Sequence, residues 1–302
     1  MQKMVKAIKI IVLTLLLLAI FTRVNGATPP KLWLWFSGHA SEALSEINEH
    51  KNVIDQISFG GYSVTANGTF AGGANVTLIK QLKSFGIESW PLIGCGSTET
   101  LRALMSNNPD NFISSAVQEI ENKDFQGYNI DFEPYDGKST NQDGINYGIF
   151  LNKFANALHK VNKKLSVDYF SNLPIWNLGA MNSSSTDYFI SMDTYVQENS
   201  TFEAYLNIAQ SKFNGKRIGV GMCAGTRPPP YTPYGPDPCP INAWTEEQLE
   251  ERFQYLDNLI MSSKKTGSDE MPFSQINMWV LPVGDSWWKK IEIYFNRWGN
   301  KL

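Results

Sequence analysis

Histidine and cysteine are scarce in this 302-residue chain, at three each, and both shortages exclude chemistry. His39, His50 and His159 are scattered and offer no ligand spacing for a transition metal, so no metal site is expected. Three cysteines cannot build a disulfide-dense scaffold and leave one residue over. Cys223 and Cys239 bracket a stretch rich in proline and glycine at 224–238, and are expected to pair across that loop with Cys95 free. Basic residues are outnumbered by acidic ones, 26 to 29, which argues against a nucleic-acid partner. Gly94–Cys95–Gly96 lacks the third glycine of a phosphate cradle, and no cofactor is expected.

Long apolar runs are absent with one exception, at 10–21, where a basic start (Lys3, Lys6, Lys9) precedes 12 largely apolar residues. Arg23 closes that run before it is long enough to span a bilayer comfortably, and small residues follow around Val24 and Gly26. Residues 1–26 therefore read as a secretory signal peptide and 27–302 as the mature domain, without a membrane anchor after cleavage. Removing the leader takes away four basic residues and no acidic ones, which moves the formal charge from −3 to −7. Four N-x-[ST] sequons, at Asn67, Asn75, Asn182 and Asn199, agree with export and are expected glycosylation sites. The expected destination is outside the cell or the lumen of the endomembrane or lysosomal system.

From residue 31 onward, short runs rich in β-branched and aromatic residues alternate with longer segments of helical period, the pattern of parallel strands joined by crossover helices. Strands are predicted at 32–36, 53–59, 87–93, 127–132, 165–170, 188–194, 217–222 and 275–281. Helical periodicity falls at 41–49, 76–85, 98–106 with 111–122, 141–162, 202–212, 245–263 and 287–298. Only 173–185 lacks a convincing helix and reads as an irregular connection. Eight strands in one chain of this length, with no linker-like boundary, predict a single closed (β/α)8 TIM barrel. The long loop at 224–242 follows the seventh strand, which puts it on the face where barrel active sites open.

The fourth predicted strand carries the chemistry. Alternation along it gives Asn129, Asp131 and Glu133 one face and Tyr128, Ile130 and Phe132 the other. With the apolar set against the helices, the acidic set faces the barrel axis, where unpaired carboxylates cost several kcal/mol. Glu133 comes last, at the mouth, and Asp131 lies one step deeper. Like charges that close raise one pKa, and a glutamate held protonated near neutral pH can protonate a leaving oxygen.

Residues 126–133, QGYNIDFE, resemble the D-G-x-D-x-D-x-E fourth-strand signature of the family 18 glycoside hydrolases, the chitinases and chitobiase-like enzymes. Gly127, Asp131 and Glu133 match, Asn129 replaces an aspartate by its amide, and Gln126 departs from the first aspartate. The resemblance implies a reaction in which the substrate's own 2-acetamido oxygen attacks the anomeric carbon. The seventh strand agrees, since it carries no Asp or Glu where a retaining barrel enzyme often places its nucleophile.

By the same resemblance Glu133 acts as acid and then base, Asp131 orients the acetamide N–H, and Asn129 supports Asp131. A tyrosine in an M-x-Y-D pattern on the sixth strand would bind the acetamide carbonyl. Here residues 191–195 read S-M-D-T-Y, with Tyr195 one place late. Either a bulge brings Tyr195 to the site, or Asp193 and Thr194 act differently there. Trp279 matches the tryptophan that the family places beneath the sugar, where an indole face stacks on pyranose C–H groups. Asp193 and Tyr169 are further candidate substrate contacts, and Trp35 reads as core or wall.

The implied partner is an oligosaccharide or polysaccharide containing N-acetylglucosamine, cleaved by a monomer. A non-catalytic lectin on the same barrel is the alternative, although such relatives usually lose the terminal glutamate that is kept here as Glu133. A glycosidase with two carboxylates and no acetamide requirement is a third reading, and would cleave plain glucosides.

Overall fold

A computed structural model describes residues 29–36, 40–106, 109–223, 244–265, 271–281 and 283–298. The predicted leader at 1–26 and the pairing of Cys223 with Cys239 lie outside the described residues, and Cys95 is free as expected.

In chain order the elements are β1 (Lys31–Phe36), α1 (Ala40–His50), β2 (Gln56–Val64), β3 (Phe70–Gly72), α2 (Val76–Ser84), β4 (Glu88–Cys95), α3 (Thr98–Ser106), α4 (Pro109–Lys123) and β5 (Gly127–Phe132). They continue with α5 (Asn141–His159), β6 (Lys164–Tyr169), α6 (Leu178–Asn182), β7 (Tyr188–Ser191), α7 (Asn199–Gln210), β8 (Ile218–Cys223), α8 (Glu246–Lys265), β9 (Gln275–Leu281) and α9 (Asp285–Asn296). All neighbouring strands except β3 pair in parallel, and β1 bonds to both β9 and β2, which closes eight strands into the expected (β/α)8 barrel.

Three details differ from the sequence reading. A short antiparallel strand, β3, pairs with the far end of β2. The connection after β6 contains one helical turn and a half, α6, capped by the Asn177 side chain on the Ala180 N–H. The sixth-strand candidate at 188–194 stops at Ser191 and passes into a 3-10 turn, Met192–Tyr195.

Strand alternation sorts the core into two layers. Tyr128, Ile130 and Phe132 of β5 and Leu165, Val167 and Tyr169 of β6 are buried in the large cluster shared with the helices. Inside the barrel a second cluster forms from Trp33, Trp35, Trp90 and Ile190, with Trp33 and Trp90 centred 4.8 Å apart. Full burial of such side chains contributes about 1.5–3 kcal/mol each. Gly127 makes room for this layer, since a Cβ there would lie 2.5 Å from the Trp90 ring and 2.4 Å from the Lys164 carbonyl. At the N-terminal ends of the strands, buried amides take over, with Gln275 Nε2 donating to Gln56 Oε1 at 3.1 Å. The lower barrel is thus filled, and open chemistry is confined to the opposite end.

Helix α5, which follows the acidic strand, starts at a capping box: Thr140 accepts from the Asp143 N–H, and the Asp143 carboxylate accepts from the Thr140 N–H at 2.8 Å. Arg102 of α3 adds two hydrogen bonds to Asp143, at 2.9 and 2.8 Å. Those bonds hold the Asp143 carboxyl well below the usual carboxylate range. A depressed folded-state pKa contributes stability that is present above the ordinary aspartate pKa and is lost as pH falls through the folded value. Asp143→Ala is expected to cost about 1–2 kcal/mol in urea denaturation at pH 7. The gap between variant and parent should close in strong acid, and a pH-independent gap would contradict this account.

Candidate active site

The inner face of β5 carries Asn129 and Asp131, and Glu133 follows one residue beyond the strand. The Glu133 N–H still donates to the Cys95 carbonyl at 2.8 Å, so the β4–β5 ladder reaches the glutamate and fixes its backbone at the mouth. Its side chain accepts from the Tyr135 hydroxyl at 2.7 Å. Asp136 anchors the intervening loop, accepting from the Thr98 N–H at 3.0 Å and the Thr98 hydroxyl at 2.6 Å. Burial, followed by the Glu133 charge, raises the Tyr135 hydroxyl pKa, so the phenol remains a donor.

A second carboxyl enters from the next strand. Strands β5 and β6 run in register, Asn129 opposite Ser166 and Ile130 opposite Val167, which brings Asp168 level with Asp131. Asn129 Nδ2 donates to Asp168 Oδ2 at 2.7 Å. The Oδ1 atoms of Asp131 and Asp168 are both buried without a hydrogen-bond partner. Desolvation pushes Asp131 well above the carboxylate range, and the charges of Glu133 and Asp168 push it the same way. Asp168 is raised as well, first by burial, but the Asn129 bond opposes the shift.

Tyr195 reaches these groups through the 3-10 turn, rather than through a bulge. It is 4% exposed, and burial raises its hydroxyl pKa, reinforced by Asp168, Asp131 and Glu133. The turn is latched to β8 by Thr194, whose hydroxyl donates to the Ser191 carbonyl at 2.7 Å and accepts from the Gly221 N–H at 2.6 Å. Gly221 is required for the fit, because a Cβ there would lie 2.3 Å from the Tyr195 ring. Downstream, the buried Arg252 holds the chain by donating to the Val196 and Gln197 carbonyls at 2.9 and 3.0 Å. Asp193 ties the same turn to the loop after β6, accepting from the Ser171 N–H at 2.7 Å.

Trp279 lies half-buried on β9 with its ring centre 6.2 Å from that of Trp35, in contact with both the barrel interior and the outer core. Tyr169 is not gathered with these residues. It is 1% exposed on the helix-facing side, packed edge-on against Phe213 at 5.6 Å, because strand alternation sends it opposite to Asp168. The geometry thus brings Glu133, Asp131, Asn129 and Tyr195 together, ties Asp193 to the loop after β6, leaves Trp279 against Trp35, and sends Tyr169 elsewhere.

Asp168, Tyr135 and Arg252 were missed in the sequence. The same alternation that picked out Asp131 marks Asp168, through S-V-D at 166–168, whereas Tyr135 and Arg252 had no local signal. Of the sequons, Asn67 and Asn182 are exposed, Asn75 is exposed but caps α2, and the Asn199 side chain accepts from Arg252 at 2.9 Å.

No family model and no curated protein matches the sequence. Solved structures do match the fold. A chitinase from Chromobacterium violaceum superposes with a TM-score of 0.66 at 16% identity, over 88% of this chain and 99% of that one. The spore cortex-lytic enzyme SleL of Bacillus megaterium gives 0.68 at 14% identity, over 89% and 74%. The GH18 chitinase ChiB of Flavobacterium johnsoniae gives 0.57 at 13%, over 89% and 94%. At these identities the likeness is one of fold, a (β/α)8 barrel shared with these chitinases and SleL.

The Tyr195 packing makes a direct prediction. Gly221→Ala should cost about 1–3 kcal/mol in urea denaturation, since the methyl cannot be accommodated without moving the turn. Gly60→Ala, where a Cβ meets nothing within 4 Å, is the control and should stay within about 0.5 kcal/mol of the parent. Equal effects at the two positions would refute the steric argument.

Proposed function

We propose that this chain is a glycoside hydrolase that cleaves β-1,4-linked N-acetylglucosamine in chitooligosaccharides or the chitobiose core of N-glycans, with retention and substrate assistance. The supporting observation is the row Asn129, Asp131, Glu133 rising to the barrel mouth, with Tyr195 beside it and no carboxylate anywhere on β8.

Glu133 gives its proton to the glycosidic oxygen as the acetamide oxygen of the substrate attacks the anomeric carbon, so no protein nucleophile is needed. Asp131 accepts from the acetamide N–H and turns the carbonyl toward the reaction centre. Tyr195, kept as a neutral phenol by its burial, donates to that carbonyl. Glu133 then takes a proton from the water that opens the cyclic intermediate. Trp279 stacks beneath the sugar at the cleavage point. The leader-like start of the chain and the exposed sequons support a secreted or luminal glycoprotein.

Fluorogenic chitobioside and cellobioside test this reading. The chitobioside should turn over and the cellobioside should not. Glu133→Gln should lower kcat by about 10²–10⁴-fold, as expected for removal of a general acid. Tyr195→Phe should lower it by about 10²–10³-fold while KM changes less. Chitooligosaccharide binding without turnover would establish a lectin instead, and cellobioside turnover a glycosidase with two carboxylates.

A further inference from the structure

We propose that Asp168, reaching across from β6 and fixed through Oδ2 by the Asn129 amide, is a positioning residue that keeps the proton of the axial acidic cluster on Asp131. It would supply from the neighbouring strand the carboxyl that the D-x-D-x-E row carries at position 129. For catalysis the inference rests on the glycosidase reading, but the protonation pattern itself does not.

Three carboxyls meet here: Asp131 from β5, Glu133 just beyond its end, and Asp168 from β6. The groups facing them from other elements are Tyr195 from the 3-10 turn and Tyr147 from α5, with Tyr135 further out beside Glu133. None of these carries positive charge, so the cluster lowers its energy by retaining a proton. The hydrogen bonds decide where. Asp168 has a donor, the Asn129 amide at 2.7 Å, which stabilises its ionised form. Each aspartate has one buried oxygen without a partner, but Asp131 lacks the amide donor that Asp168 has and stands between the Glu133 and Asp168 charges, so protonation relieves it most.

Asn129 cannot itself hold the charge, and its amide N–H makes sense only opposite an acceptor. Asn129 and Asp168 therefore form a reciprocal pair, amide on one strand and carboxylate on the next. Asp168 is 2% exposed, which makes it unavailable as a nucleophile. Its effect on a substrate passes through Asp131, whose proton it retains and whose unpartnered oxygen it leaves unbonded.

The test is a titration of the free protein labelled with ¹³C at aspartate Cγ, followed by NMR in the parent, Asp168→Asn, Asn129→Asp and the exchange variant Asn129→Asp/Asp168→Asn. In the parent, Asp131 should titrate at higher pH than Asp168. In Asp168→Asn, loss of the neighbouring charge should lower the Asp131 midpoint by about one pH unit or more. The exchange variant should restore it, and should regain most of the chitobioside activity lost in each single variant, with the acidic limb of the pH–kcat profile returning to its parent position. An Asp131 midpoint that does not move in Asp168→Asn, or an Asp168 that keeps its proton above Asp131 in the parent, overturns the proposal. If Asp168→Asn does not fold, the order of the two midpoints in the parent and the midpoint in the exchange variant decide the matter. A protein inactive on every glycoside but titrating as described would sink the glycosidase reading and leave the proton assignment standing.

Discussion

A carboxylate that faces the axis of a closed barrel has nowhere to go. Eight strands turn every second side chain inward, and below the acidic row the space is already filled by Trp33, Trp35 and Trp90. Asp131 can therefore neither sink into the core nor reach bulk water freely, and its environment must come from what adjacent strands present at its height. That is Glu133 above, Asp168 beside, and below them the Asn129 amide, bonded to Asp168. In this setting a single amide N–H governs which acid is charged, because desolvation makes each bond count for more than it would at the surface.

The tryptophan layer is as much a part of the site as the acids. It blocks the lower barrel, raises the local cost of charge, and is flanked by the half-buried Trp279, which packs on Trp35. The requirement for glycine at 127 follows from the same packing, since the Trp90 ring occupies the space a side chain would need. A glycine that reads in the sequence as part of a catalytic signature is, in the structure, a clearance for the floor beneath it.

The barrel was largely legible because parallel strands buried on both faces produce dense apolar runs, and the helices between them keep a strong period. What escaped was set by partners distant in sequence. The strand expected to run to Thr194 ends at Ser191 because the Thr194 hydroxyl bonds to Gly221 of β8, and no local feature of S-M-D-T-Y announces that latch. β3 is three residues long and depends wholly on the extension of β2. In the site, alternation identified Asp131 and Glu133 on β5. Applied with equal strictness to β6, it would have selected Asp168 and rejected Tyr169, whose ring turns toward Phe213. Arg252 lay beyond such reasoning, being 56 residues from the carbonyl it holds most closely to the site.

Two features that looked independent in the sequence, the late tyrosine and the missing nucleophile, are one feature in the structure. Tyr195 comes a residue later than the family pattern because the chain turns through a 3-10 segment before releasing it. That turn carries the ring across to β8. The ring then occupies the volume above Gly221, so closely that even a Cβ would stand 2.3 Å from it. A carboxylate on the inner face of β8 is excluded at that level by the tyrosine itself. At position 221 the barrel cannot hold both this phenol and a larger side chain. The latch of Tyr195 by Thr194 agrees with the substrate-assisted reaction proposed above, in which the attacking oxygen arrives with the substrate and the phenol donates to the acetamide that brings it.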